Sequence, residues 1–143
     1  MLVAALALLA PACGRDAAQE PGSGTASSSG PSSPTEAVTQ AEADEAMRAL
    51  CDIASGAVTS TDDILEAFHA RAHETLHRVA MEVQATQPAV AGALLEAKSV
   101  VEADLEQAPF PDTLQGDVQN LMGAFAVALP ENGLVPADCL PAA

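Results

Sequence analysis

The chain holds three histidines, and all of them fall in one run, Glu66 to His77 (EAFHARAHETLH). His69, His73 and His77 stand four residues apart. On an α-helix each step of four overshoots a full turn by about 40°, so the three imidazoles share one side. Each follows an apolar position, Phe68, Ala72 or Leu76. That puts the trio on the border of the apolar stripe, half shielded and still reachable. Imidazole nitrogens ligate Zn²⁺, Cu²⁺ and Ni²⁺, and histidine changes charge near neutral pH. Glu66 and Glu74 set carboxylates beside them.

Within the run, His73-Glu74-Thr75-Leu76-His77 follows H-E-x-x-H and resembles the motif of zinc metallopeptidases. The resemblance covers five residues. It implies His73 and His77 as zinc ligands and Glu74 as general base on the metal-bound water. A third ligand is needed. Glu96 lies 19 residues after His77, a spacing similar to that in one branch of those enzymes; Glu102 and His69 are the other candidates. The family packs its motif helix under a sheet whose edge strand binds the peptide, and no stretch of this chain alternates with period two.

Reversible metal binding by His69, His73 and His77, without hydrolysis, needs less. The pairs Glu66-x-x-His69 and Glu74-x-x-His77 also echo di-iron bundles. Those require a second such motif, and the third helical segment offers Glu96, Glu102 and Glu106 with no histidine. The simplest reading asks for no metal or other cofactor. In it His69 and His73 hydrogen-bond to neighbouring helices, His77 is solvated, and Glu74 pairs with Arg78 on an exposed face.

Four helical segments must position these residues. One covers about Thr35 to Ser55, with Ala46, Leu50, Ile53 and Ala57 inward. A second follows Ser60, which with Asp63 has the spacing of a capping box. Its stripe is Ile64, Phe68, Ala72, Leu76, Val79 and Val83. The third begins near Pro88, a good first-turn residue, carries Val90, Leu94, Ala97, Val101 and Leu105, and stops at Pro109-Phe110-Pro111. The fourth starts near Pro111 or Asp112, carries Leu114, Val118, Leu121, Phe125 and Leu129, and ends at Pro130 to Gly133. The expectation is all-α: a small up-down four-helix bundle with short connections and an alanine-thinned core.

Composition narrows the partners. Lys+Arg number 5 against 20 Asp+Glu, a formal net charge of -15. Nucleic-acid affinity comes largely from basic side chains displacing counterions, so nucleic acid is excluded. With three Phe and no Trp or Tyr, little is available to line an aromatic pocket. The acidic surface suits a protein or cationic partner.

The amino terminus reads as an address. Leu2 to Ala10 is an unbroken apolar run, too short for a bilayer at roughly 20 residues and right for a signal-peptide core. It leads into Ala10-Pro11-Ala12-Cys13, which resembles the lipobox of bacterial lipoproteins, with Ala10 where that family usually has Leu. No Lys or Arg precedes Cys13. A Ser/Gly/Pro-rich stretch follows, of the kind that forms flexible tethers. The resemblance implies removal of residues 1–12 and lipidation at Cys13. A linker over residues 13–36 would join this anchor to a helical domain over residues 37–143. The chain would then be lipid-anchored to the cell membrane, on its extracytoplasmic face or in the periplasm. Lipidation of Cys13 would leave Cys51 and Cys139 in an oxidising compartment, where we expect them to pair.

Overall fold

The computed structural model describes residues 36–139. The apolar segment, Cys13 and nearly all of the Ser/Gly/Pro linker lie outside the described residues. Among the described residues there are four helices and no strand, as the periodicity predicts.

Helix α1 is Gln40–Ala54. It begins five residues later than its apolar pattern suggests, because Thr39 and Glu42 cap it reciprocally. The Glu42 backbone N–H donates to Thr39 Oγ1 at 3.3 Å, and the Thr39 N–H donates to Glu42 Oε2 at 2.8 Å. Two orphan donors of the first turn are thereby satisfied. The helix stops at Gly56, whose φ of 71° is left-handed. The N–H groups of Gly56 and Ala57 turn back to the carbonyls of Ile53 and Asp52, a closure that glycine permits without a side-chain clash. Ala57, expected to face inward, therefore lies past the helix and is exposed.

Helix α2 covers residues 61–83 in three stretches: α-helical Thr61–Glu66, π-helical Ala67–Ala72 and α-helical His73–Val83. Ser60 Oγ accepts the Asp63 N–H at 3.1 Å and caps the start. The π stretch has a cause in the spacing. Ile64, Phe68, Ala72 and Leu76 recur every four residues, and on a pure α-helix each step would swing them about 40° further from the core. A π turn holds more residues per revolution. It absorbs that drift, and all four are buried.

Helix α3 is Pro88–Leu105, with proline in its first turn. Helix α4 is Leu114–Ala128, continued by a 3₁₀ turn over Leu129–Asn132. Helix α3 packs on α4, α1 packs on the π stretch and on α4, and the last stretch of α2 packs on α3. Phe68 and Phe125 are fully buried at the centre with Leu50, Ile53, Leu76, Leu94, Leu121 and Leu129. Every apolar position expected to be buried on α2 and α4 is so. On α3 the stripe is looser: Val90 and Ala97 are half-buried, while Ala91 and Lys98 go inside.

The carboxyl-terminal tail is fastened to α1 at two points. The Val135 N–H donates to Gln40 Oε1 at 2.9 Å, and Gln40 Nε2 donates to the Val135 carbonyl at 2.8 Å. Further on, Cys139 is paired with Cys51, their Cα atoms 5.6 Å apart. Among the described residues no helix is long and apolar enough to cross a membrane.

Candidate functional site

The π stretch does for the histidines what it does for the apolar stripe. It keeps His69 and His73 together, their ring centroids 5.9 Å apart, and both rings meet Phe68 edge-on. The His73 N–H reaches back five residues to the Phe68 carbonyl, so the ring that buttresses His73 also anchors its backbone. Such π segments are frequent at functional sites.

His73 points at α3. Its Nε2 lies 2.9 Å from Glu102 Oε1 and 3.0 Å from Lys98 Nζ, and Lys98 Nζ donates to Glu102 Oε1 at 2.8 Å. Three polar atoms from two helices form a closed triangle. Lys98 is 7% exposed, an unusual place for an ammonium, and only a pairing of this kind offsets its desolvation. Burial pushes the Glu102 carboxyl up, but Lys98 and then His73 outweigh it and hold the group below its ordinary value. The imidazole faces a choice. With its proton on Nε2 it donates to Glu102 and presents a donor to Lys98. With the proton on Nδ1 it accepts from Lys98 and turns a lone pair on Glu102. Doubly protonated, it makes two cations share one carboxylate.

A recess of about 450 Å³ opens beside the triangle, walled by His69, Ser99, Glu102, Leu105 and Glu106. Its two carboxylates suit a cationic visitor. Glu74, His77 and Glu96 remain on exposed surface. Among the described residues no three His, Cys, Asp or Glu side chains converge where they could hold a metal ion. The H-E-x-x-H string and Glu96 are therefore not assembled as a ligand set, and His73 is engaged by Glu102 and Lys98 instead. Arg78 does not rely on Glu74; it donates to Glu42 Oε1 at 2.7 Å and to the Glu36 carbonyl.

Histidine spacing alone does not bring Lys98 into this site. Its signal was present: it lies four residues after Leu94, three before Val101 and four before Glu102, on the apolar line and with a carboxylate in reach. Glu102→Ala should lower stability by about 2 kcal/mol, less than for a fully dry pair because water reaches the carboxylate. Lys98→Met in the same chain should restore most of that loss. Urea unfolding of the two variants checks it, and an unchanged midpoint for Glu102→Ala would refute the pairing.

Comparisons with models of protein families, with curated proteins and with solved structures gave no match for this chain.

Proposed function

We propose that the chain is an exported lipoprotein, held to the outer face of the cell membrane or in the periplasm through Cys13, whose acidic helical domain is a non-enzymatic binding module. The short connections between its helices suit an up-and-down path. Its partner is a protein or other species presenting positive charge.

One observation carries this reading. Each Lys and Arg side chain of the described residues is already paired with a carboxylate of the chain itself, Arg48 on the surface and the others partly or fully buried. Arg48 is bound to Glu45, Arg71 to Glu45 and Asp52, Arg78 to Glu42, and Lys98 to Glu102. Carboxylates such as Asp62, Asp63, Glu66, Glu74 and Glu96 face solvent, and none of these four cations is paired with them. The surface field is therefore almost wholly negative, and such a field raises the association rate of cationic partners at low ionic strength.

Titration of the domain with a lysine-rich peptide should show micromolar binding at low salt, weakened at least tenfold at about 0.5 M salt, where the screening length falls to a few ångströms. Asp62→Asn/Asp63→Asn/Glu66→Gln should weaken it further. Absence of binding at low salt overturns the proposal. Metabolic labelling with a palmitate analogue tests the anchor: label should appear on the wild type and vanish in Cys13→Ser.

A further inference from the structure

The carboxyl end of α3 gathers acids where a helix is electrically negative. Its last turn carries no basic residue, although cations are what that end favours. Glu102 is answered by Lys98; Asp104 is not. Asp104 is only 8% exposed. Its Oδ2 is shut away from solvent and has no hydrogen-bond partner among the described residues. Its Oδ1 receives a single long bond of 3.4 Å from the Gln107 side chain.

The groups that face Asp104 are Asp117, from the first turn of α4, and Thr113, from the segment between the helices. Glu106 and Asp112, the neighbouring acids in sequence, are exposed. Among the described residues no Lys or Arg is at hand, since Arg48, Arg71, Arg78 and Lys98 are all bound to other carboxylates. An ionised Asp104 would be a buried anion opposite a second anion with one oxygen unsatisfied, a combination that proteins avoid.

We infer that Asp104 and Asp117 share one proton, with Asp104 Oδ2–H donating to the Asp117 carboxylate, and that this bond is an acid-set clasp between the end of α3 and the start of α4. One proton supplies the missing partner and removes the like-charge contact together. Burial, and then the Asp117 carboxylate, push the Asp104 carboxyl above its ordinary range, while Thr113 opposes them in part. A raised value means that the folded chain holds the proton more tightly than the unfolded chain. The resulting stability is full below the ordinary aspartate range and is lost as pH rises through the folded value.

Glu42 works in the other direction. The Thr39 N–H and then Arg78 hold it down to about 2, so its contribution is full above the ordinary glutamate value and is lost as pH falls from there toward 2. The two carboxylates together put the most stable pH in mild acid. The clasp also sits beside segment 110–115, which walls a second recess of about 360 Å³ lined by Ile53, Val58, Ile64, Phe110 and Leu114.

Thermal unfolding of the disulfide-intact chain between pH 4 and pH 8 tests the clasp, with Asp104→Asn and Asp117→Asn alongside. The wild-type Tm should fall as pH rises from the ordinary aspartate range toward 8. Asp104→Asn, whose amide donates to Asp117 without a titrating proton, should gain about 5 °C at pH 7.5 and lose the slope. Carbon NMR of the aspartate carboxyls in the wild type, which depends on no variant folding, should place one titration above the ordinary aspartate range. An identical pH slope in wild type and Asp104→Asn, or no such titration, overturns the clasp. So does a wild-type Tm at pH 7.5 that rises with millimolar Ca²⁺ while Asp104→Asn does not respond, because a cation would then be what joins the two carboxylates.

Discussion

Cys51→Ser/Cys139→Ser should melt about 20 °C below the wild type, and the wild type treated with reductant should melt with it. The pair closes a loop with a sequence separation of 88. In the chain-entropy account that restraint on the unfolded chain contributes about 4 to 5 kcal/mol. The figure is large against the whole stability of a domain this size, commonly about 5 to 15 kcal/mol. It is larger still here because the interior is built from small groups. Ala43, Ala46, Ala49, Ala67, Ala72, Ala80, Ala91 and Ala128 are all buried, and each removes little apolar area from water. The reciprocal Gln40–Val135 bonds keep the tail near α1 after reduction, so the secondary structure should survive at low temperature. Circular dichroism melts with and without reductant provide the measurement. A fall of less than 5 °C would mean that packing alone sets the stability.

The second large effect is at Phe68. Phe68→Ala should cost about 3 to 5 kcal/mol, the usual range for removing a buried aromatic ring. Phe68 is fully buried on the π stretch and meets the rings of both His69 and His73. Its loss therefore has a second consequence besides the cavity. The edge that holds the His73 ring toward Glu102 and Lys98 disappears, and the nitrogen resonances of His73 should move from their wild-type positions as the ring loses that fixed orientation. Phe68→Leu should recover part of the stability and little of the ring order. Urea unfolding reads the first effect and ¹⁵N NMR of the imidazoles the second. A cost below about 1 kcal/mol would show that the bundle closes over the missing ring.

The helical pattern was legible because apolar spacing is a direct image of what a helix buries. The stripes of α2 and α4 were read residue by residue. The apolar pattern of α1 continues upstream of Thr39, so only the Thr39–Glu42 pair says where the helix begins. The π stretch was also written in the chain, as consecutive steps of four from Ile64 to Leu76, but counting apolar positions does not ask what absorbs the accumulated rotation. Charged residues were the hard part. Asp104 and Glu102 look like solvated surface acids in sequence, and Lys98 looks like any lone base among them. Their burial depends on how closely α3 approaches α2 and α4, and local spacing does not encode that distance. The histidine run illustrates the same limit. Spacing predicts the imidazoles on one side, and His69 and His73 do lie together, but which partner His73 meets is decided by α3, and that partner is an ion pair.

The bond between Cys51 and Cys139 also determines how the molecule carries tension. Consider a chain held at its amino end and pulled at its carboxyl end, as a surface-tethered protein would be when its partner moves away. The covalent path of the force enters along α1 to Cys51, crosses the sulfur bridge to Cys139 and leaves through the last residues. Residues 52–138 hang beside that path as a closed ring. Helices α2, α3 and α4, the His73–Lys98–Glu102 triangle and the Asp104–Asp117 clasp all lie in the ring, so stretching the chain can fray α1 without drawing them out. In reducing surroundings the bypass opens, and the same pull would pass through every helix in turn.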